Sequence, residues 1–160
     1  MFRGAALLSL DAKSRVAVPT KHRDALCMSS QESVQTADQV QPSSGLVLTA
    51  HPHRCLLLYP QQAWEPIQSK LMSLSSFDKQ SSGLQRLLVG YAEDVELDGA
   101  GRLLVSSALR QFANLDKQIM LVGQGSHFEL WNVDAWHAQL ERAIGSDDMV
   151  IPAELEGFSL

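Results

Sequence analysis

Short apolar runs alternate with polar turns along most of the chain, a pattern typical of short β-strands joined by tight connections. The pattern predicts eight strands, at residues 4–10, 15–18, 46–50, 55–59, 91–97, 102–105, 119–122 and 127–131. It predicts helices from Pro19-Thr20 to about residue 26 and over about 61–74, 78–88, 106–112 and 133–144. The longest apolar run is far shorter than the ~20 residues that cross a bilayer, and the stretch after Arg3 is too brief for a signal peptide.

The order of these elements occurs twice. Residues 8–23 match residues 95–110 at an offset of 87, with five identities: Leu10/Leu97, Asp11/Asp98, Arg15/Arg102, Val18/Val105 and Arg23/Arg110. Further along, Leu58 matches Leu130 and Ala63-Trp64 matches Ala135-Trp136 at an offset of 72. The difference predicts 15 extra residues in the first copy, within the polar stretch from about Ser29 to Ser44.

Each copy therefore has the order β-turn-β-helix-β-β-helix. Four short strands leave one face of a sheet wet, so we expect the two copies to pair into one pseudo-twofold barrel with flanking helices. The fold class is α+β, mainly β. The predicted divisions are a first module at 1–74, a linking helix at 75–90, a second module at 91–145 and a C-terminal tail at 146–160.

Composition gives a globular chain with an uneven distribution of charge. The 160 residues are 45% hydrophobic and 19% charged, with a formal net charge of -5 that by itself argues against a nucleic-acid partner. Residues 1–27, however, hold five bases and two acids, a net of +3, whereas residues 28–160 carry a net of -8. The overall charge therefore does not exclude nucleic acid, because the first copy begins with a basic segment.

The repeated Asp-x-x-x-Arg span is the strongest candidate for function. Asp11 and Asp98 are expected to close a strand-turn-strand unit, and Arg15 and Arg102 leave it on the next strand. Around the first turn the candidate DNA-binding residues are Arg15, Lys13, Arg3, Lys21 and Arg23. An Arg can contact guanine bidentately while a Lys holds phosphate. The alternatives are that each Arg only pairs with its Asp, above all at Arg102, and that the basic cluster is a solvated face.

Other candidate sites are weak. Cys27 and Cys55 lack zinc-type spacing and are expected to be buried, reduced thiols. His51 and His53 could chelate a metal, but they fall in a predicted turn beside Pro52, which favours an exposed loop. Glu93, Asp94, Glu96 and Asp98 form an acidic cluster on one predicted strand. Strand alternation puts Glu93 on one side and the other three together on the opposite side, and this row of three is interpreted as a solvated edge or as a partner for basic residues of a neighbouring subunit.

No motif for catalysis or nucleotide binding is present. Gly123-Gln124-Gly125 is too short for a nucleotide loop and fits a hairpin turn. The matched Trp64 and Trp136 fit core or interface packing. We therefore expect no enzyme, no cofactor, no bound metal and no small-molecule substrate.

Several ordered motifs carry a family resemblance over about residues 1–145. They are Met1-Phe2-Arg3-Gly4, Leu10-Asp11-x-Lys13-x-Arg15-x-x-Val18-Pro19, Cys55-Leu56-Leu57-Leu58-Tyr59-Pro60, Gln85-Arg86-Leu87-Leu88, Leu97-Asp98-Gly99-Ala100-Gly101-Arg102 and Phe128-Glu129-Leu130-Trp131. Together they closely resemble the MraZ family of bacterial transcriptional regulators. The resemblance implies two AbrB-like swapped-hairpin modules, ring-shaped homo-oligomers, and binding to G-rich direct repeats in the promoter of the chain's own operon, which encodes division and cell-wall proteins.

Three features depart from the family pattern. Ser14 stands where a Gly is usual, the 29–44 stretch is longer than typical, and Pro66 interrupts the helix after Trp64, which predicts a kink or a later helix start. None of these departures removes a basic residue of the first turn.

The sequence thus predicts a cytoplasmic, nucleoid-associated regulator that binds double-stranded promoter DNA and represses its own operon through arrayed N-terminal turns. The alternative is a ring-forming scaffold that binds protein and has no specific DNA readout.

Overall fold

The computed structural model of the chain describes residues 1–28 and 45–145. Its strands are β1 (Phe2–Ser9), β2 (Arg15–Ala17), β3 (Leu46–Ala50), β4 (Leu56–Pro60), β5 (Glu93–Val95), β6 (Arg102–Leu104), β7 (Gln118–Gly125) and β8 (Phe128–Asn132). Its helices are α1 (Thr20–Met28), α2 (Gln61–Met72), α3 (Lys79–Leu84), α4 (Ser107–Phe112) and α5 (Val133–Gly145), and α3 continues into a π-helical turn, Gln85–Val89. The predicted loop at 29–44, the tail at 146–160 and the side chain of Cys27 lie outside the described residues.

All predicted strands and helices are present, with differences at their ends. β5 has three residues where seven were predicted, because Ala92 closes the preceding helical turn through its N–H to Val89 O and Leu97 forms only a single bridge to Leu103. β7 extends to Gly125, so the turn between β7 and β8 contains only residues 126 and 127, fewer than the four residues between the two predicted strands. α2 begins at Gln61 and contains Pro66, so the expectation of a later start is wrong. Within the described residues, every helix is too short or too polar to cross a membrane.

The strands of the two copies interleave. Six of them form an antiparallel sheet in the order β1-β7-β8-β4-β3-β5, and β2 pairs with β6 in a separate two-stranded ribbon. Exchanging each strand for its counterpart in the other copy gives the same sheet order read from the opposite end. The chain is therefore an α+β protein, mainly antiparallel sheet, consistent with two tandem modules.

The closed barrel that we predicted is not found among the described strands. β1 and β5 lie at opposite edges of the six-stranded sheet, and neither pairs with the other to close it. Beyond its own pairing, the β2–β6 ribbon has two isolated bridges, Leu10–Val16 and Leu97–Leu103. Each copy thus connects the sheet to the ribbon by only one bridge at its turn, which leaves the sheet open.

The strand register refines the internal repeat. Val16 pairs with Leu103 and Leu57 lies opposite Glu129, so each pair joins equivalent residues of the two copies. β3 corresponds to β7 at an offset of 73, because Leu46–Val95 in one copy matches Ile119–Leu8 in the other. One of the 15 extra residues therefore lies in the β3–β4 turn, and the prediction that all of them precede β3 is wrong.

Two buried clusters stabilise this arrangement. The larger is built around Leu26, Leu58, Leu103 and Phe128 from both copies, all fully buried. The smaller cluster contains Trp64, Trp131, Tyr59, Val47 and Cys55. The prediction that Cys55 is buried is confirmed, and burial raises the pKa of its thiol. The packing predicted for the tryptophans is also observed, with the rings of Trp131 and Trp136 5.9 Å apart.

Candidate nucleic-acid interface

The first Asp-x-x-x-Arg span forms a compact turn, residues 11–15, which is closed by hydrogen bonds to Asp11 and is called turn one below. Asp11 Oδ1 accepts hydrogen bonds from the backbone N–H groups of Lys13 and Arg15, each at 2.9 Å. Asp11 Oδ2 accepts one from Arg15 Nε at 2.8 Å. The backbone closes on itself as well, because Ser14 N donates to Asp11 O at 3.0 Å. The carboxylate thus fixes both the turn and the base of the Arg15 guanidinium.

The second span, residues 98–102 or turn two, repeats this geometry. Asp98 Oδ1 accepts from Ala100 N and Arg102 N at 2.9 Å, and Asp98 Oδ2 accepts from Arg102 Nε at 2.8 Å. The pairing of each Arg with its own Asp, which was one of the alternatives above, is therefore present in both copies. Both guanidinium side chains stay partly exposed, 28% for Arg15 and 37% for Arg102, so the ion pair leaves each of them accessible to a ligand.

The fourth residue of each turn adopts the left-handed backbone conformation, with positive φ. Ser14 has φ 59° and its counterpart Gly101 has φ 72°. Gly serves this conformation at low cost, whereas Ser adopts it at a cost of ~1 kcal/mol or more. Ser14 gains a compensating contact, since its Oγ accepts a hydrogen bond from Arg110 Nη1 at 2.8 Å. The departure from the family pattern at Ser14 therefore keeps the shape of the turn.

We expect Gly101→Ala to lower the free energy of unfolding by about 1–2 kcal/mol. The substitution would place a Cβ at positive φ and against the Arg23 guanidinium, which lies on Gly101. Gly99→Ala is the matched control, because Gly99 does not have positive φ and its added Cβ would meet no atom within 4 Å. Urea denaturation of both variants checks this. Equal midpoints for the two would contradict it.

The carboxylates of both turns make the fold sensitive to acid. The backbone N–H of Arg15 is the main cause that lowers the pKa of Asp11, and the N–H of Arg102 acts in the same way on the pKa of Asp98. A pKa that is lower in the folded state than in the unfolded state stabilises the fold above the unfolded value, about 3.9 for Asp. That contribution is lost as pH falls through the folded pKa.

We therefore expect stability to fall below about pH 4, and the fall to be shallower in Asp11→Asn than in the wild type. The amide of this variant cannot titrate, and it has already lost the contribution of the charged carboxylate at neutral pH. Urea midpoints measured from about pH 7 to pH 3 check this expectation. The double variant Asp11→Asn, Asp98→Asn should be shallower still, and an unchanged acid limb in both would contradict the role assigned to these carboxylates.

Each turn lies against the helix of the other copy. Val105 N donates to Ser14 O at 2.8 Å, and Val18 N donates to Gly101 O at 3.0 Å. Turn one contacts Arg110 of α4, as described above, whereas turn two contacts Arg23 of α1. The two turns consequently lie at opposite ends of the β2–β6 ribbon, each beside a different helix.

The five bases proposed from the sequence do not form one cluster. Lys13 is exposed on turn one, and Arg15 leaves that turn on β2. Lys21 and Arg23 lie on α1 at the end of turn two, where Arg23 Nε donates to Val18 O at 2.6 Å. Arg3 is exposed near the start of β1, six residues or roughly 20 Å of strand before the end that enters turn one. Only Lys13 and Arg15 are held together by the turn.

Sequence reasoning missed two bases that the fold brings to turn one. Arg110 contacts Ser14, and Lys117 O accepts the backbone N–H of Leu10 at 2.9 Å. Both belong to the second copy and are about 100 positions from the turn. The match of Arg23 with Arg110 in the repeat was the available signal for Arg110, whereas no pattern in the sequence indicates Lys117.

The other candidate sites from the sequence, the His pair and the acidic cluster, make contacts within the chain. The rings of His51 and His53 contact each other edge-on, with centroids 4.7 Å apart, and Glu93 accepts a hydrogen bond from Ser106 Oγ at 2.7 Å. Within the part of the chain that the structure describes, no three His, Cys, Asp or Glu side chains come together as a metal site.

Comparison with known proteins agrees with the repeat. A family model described as "MraZ protein, putative antitoxin-like" matches the chain twice, at residues 1–87 and 88–154. "Transcriptional regulator MraZ" of Methylobacillus flagellatus is 66% identical over 160 residues, and its namesake in Azoarcus sp. is 51% identical over 160 residues, with complete coverage of both chains in each case. A third relative of the same name, from Nitrosospira multiformis, is 52% identical over 161 residues, again with complete coverage. The chain belongs to the MraZ family.

Proposed function

We propose that this chain is a DNA-binding transcription regulator that contacts promoter DNA with turn one. The observation that carries the proposal is the partly exposed Arg15, fixed by Asp11, beside the exposed Lys13 on a turn that the same carboxylate closes. A basic side chain that is held in place before binding loses little conformational entropy when it contacts its ligand. The relatives named as transcriptional regulators support the same function.

The geometry of Arg15 suits base recognition. Its Nε is occupied by Asp11, and among the described residues its two Nη nitrogens donate no hydrogen bond. Two parallel donors on one guanidinium match the O6 and N7 acceptors of guanine in the major groove. Lys13, two positions earlier, supplies a single positive charge to the adjacent phosphate. This pairing supports our proposal that the sites are G-rich.

One turn makes few contacts, so useful affinity requires several turns on one DNA. We propose that the chain forms a ring of identical subunits, each with two AbrB-like swapped-hairpin modules at 1–74 and 91–145, which presents turn one to successive direct repeats. Arg3, Lys21 and Arg23 would contribute to the positive potential from the α1 side. Binding in its own promoter would repress the operon of division and cell-wall genes and place the protein on the nucleoid in the cytoplasm.

The experiment is a fluorescence-anisotropy titration of the full chain with its own upstream duplex and with a scrambled duplex of equal length. We expect tighter binding to the upstream duplex, and affinity for both that falls steeply with salt, because bound bases release counterions. Native mass measurement gives the number of subunits. No preference and no salt dependence would favour the scaffold, and a monomer at all concentrations would remove the multivalent part of the proposal.

A further inference from the structure

A groove of about 740 Å³ runs beside turn one. One wall is the end of β1 and the first half of the turn, residues 9–12, and the other wall is Arg110, Lys117 and Gln118 of the second copy. The groove therefore joins the turn proposed to contact DNA with bases that come from the opposite half of the chain.

Backbone bonds fix the second wall. Leu10 N donates to Lys117 O, and Ser9 pairs with Gln118 at the end of the β1–β7 pairing. The main chain of Lys117 is thus held against the turn while its side chain is exposed. Arg110 is held by its own bonds, since Nε donates to Leu115 O at 3.1 Å and Nη1 donates to Ser14 Oγ.

The charges that line this groove favour an anion. Asp11 is the acid in its lining, and Arg15 Nε and two backbone N–H groups already neutralise that carboxylate. Neither Arg110 nor Lys117 forms an ion pair with any described residue. Lys117 also lines a neighbouring depression, together with Asp116 and Asp134. An anion would be repelled from that side and would meet Lys117 from the side of turn one.

Turn two has no counterpart of Lys13, and the sequence of the first copy has none of Lys117. Lys13 corresponds to Ala100, and Lys117 corresponds to Ser44 at the offset of 73 that relates β3 to β7. Arg110 keeps a basic counterpart, Arg23. Because the two turns share their hydrogen-bond geometry, neither Lys13 nor Lys117 is required to build such a turn.

We propose that this groove binds a phosphate of the DNA backbone through Lys117, with Arg110 as the residue that positions turn one and adds to the positive potential. The inference rests on the proposed function and extends it. The DNA contact of each subunit would be built from both copies. The first copy would supply Arg15, which reads a nucleobase, and Lys13, which contacts a phosphate, and the second copy would supply Lys117, which holds another phosphate. A phosphate contact of this kind carries no sequence information and sets the position of the protein on the duplex.

The test compares Lys117→Ala with Lys70→Ala, an exposed lysine on α2 outside the groove, by anisotropy on the upstream and scrambled duplexes at several salt concentrations. We expect Lys117→Ala to weaken binding to both duplexes by the same factor, about three- to tenfold near 0.1 M salt. The slope of log K against log salt should fall by about 0.9 per bound subunit. Lys70→Ala should match the wild type, and Lys117→Arg should retain most of the affinity.

Three results would overturn the proposal. If Lys117→Ala keeps the wild-type affinity and salt slope while Arg15→Ala loses binding, the groove is not part of the interface and the proposed function survives. If Lys117→Ala weakens only the upstream duplex, the lysine contacts a base and not a phosphate. If the wild type shows neither preference nor salt dependence, the proposed function fails and this inference fails with it. Circular dichroism of each variant confirms that the fold is intact.

Discussion

Replacing Arg15 with alanine is expected to weaken binding to the upstream duplex by at least about tenfold for each subunit, the cost of a lost bidentate base contact. The loss should grow when several subunits bind one DNA, because each subunit loses the same contact. The variant also removes the guanidinium from Asp11, whose charge is then met only by two backbone N–H groups, so a more negative turn faces the DNA at the proposed interface. Both effects act in the same direction.

Arg102→Ala is the matched control for this experiment. Arg102 makes the same 2.8 Å bond to Asp98 that Arg15 makes to Asp11, so the two variants lose the same interaction within the chain. Any loss of DNA affinity caused only by a loosened turn should occur in both. We expect Arg102→Ala to bind within about twofold of the wild type, because turn two has Ala100 where turn one has Lys13 and is not the proposed contact.

Arg15→Lys separates charge from geometry. Lysine keeps the positive charge but has no planar pair of donors, so we expect an affinity between those of the wild type and Arg15→Ala, with most of the preference for the upstream duplex lost. Equal affinities for Arg15→Ala and the wild type would exclude turn one as the DNA contact. Equal losses for Arg15→Ala and Arg102→Ala would show that the substitution acts through the fold.

The sequence predicted the elements well because their signals are local. Apolar alternation located the strands, and the identity of Asp11 with Asp98 and of Arg15 with Arg102 located the two turns. Ser14 stands where the family usually has a Gly, and its φ of 59° lies in the left-handed region that Gly favours. Each of these features depends on residues within five positions of one another.

What the sequence could not predict depends on pairing between the copies. Arg23 follows Lys13 and Arg15 closely along the chain, yet it lies against Gly101 at the other turn. Lys117 is far from Asp11 in sequence, yet its carbonyl contacts the neighbouring Leu10. Strand order decides both placements, since β2 pairs with β6 and β1 pairs with β7. A charge count along the chain therefore grouped basic residues that the fold separates, and it omitted Arg110 and Lys117, which the fold brings to turn one.

The same interleaving predicts that the two copies unfold together, and Phe128→Ala tests it with the largest stability loss expected here. Phe128 opens β8 in the second copy and is fully buried, with its ring centroid 4.5 Å from that of Phe2 and 4.8 Å from that of His22, both in the first copy. Truncating a buried Phe removes its apolar contacts and leaves a cavity, at a cost of about 3–5 kcal/mol in the free energy of unfolding. That is a large part of the 5–15 kcal/mol that typically stabilises a domain.

Phe77→Ala is the matched control, because Phe77 is 99% exposed and its loss should change stability by less than about 0.5 kcal/mol. Urea denaturation at one fixed protein concentration measures both variants, with fluorescence of Trp64 reporting on the first copy and that of Trp131 on the second, each in a chain whose other tryptophans are replaced by phenylalanine. Each Phe128→Ala chain is compared with its parent that has the same single tryptophan. In Phe128→Ala both reporters should shift to the same lower midpoint, because Phe128 belongs to the second copy and packs against β1 and α1 of the first. A shift of the Trp131 signal alone would mean that the second copy unfolds independently, and the interleaved sheet would then not be one cooperative unit.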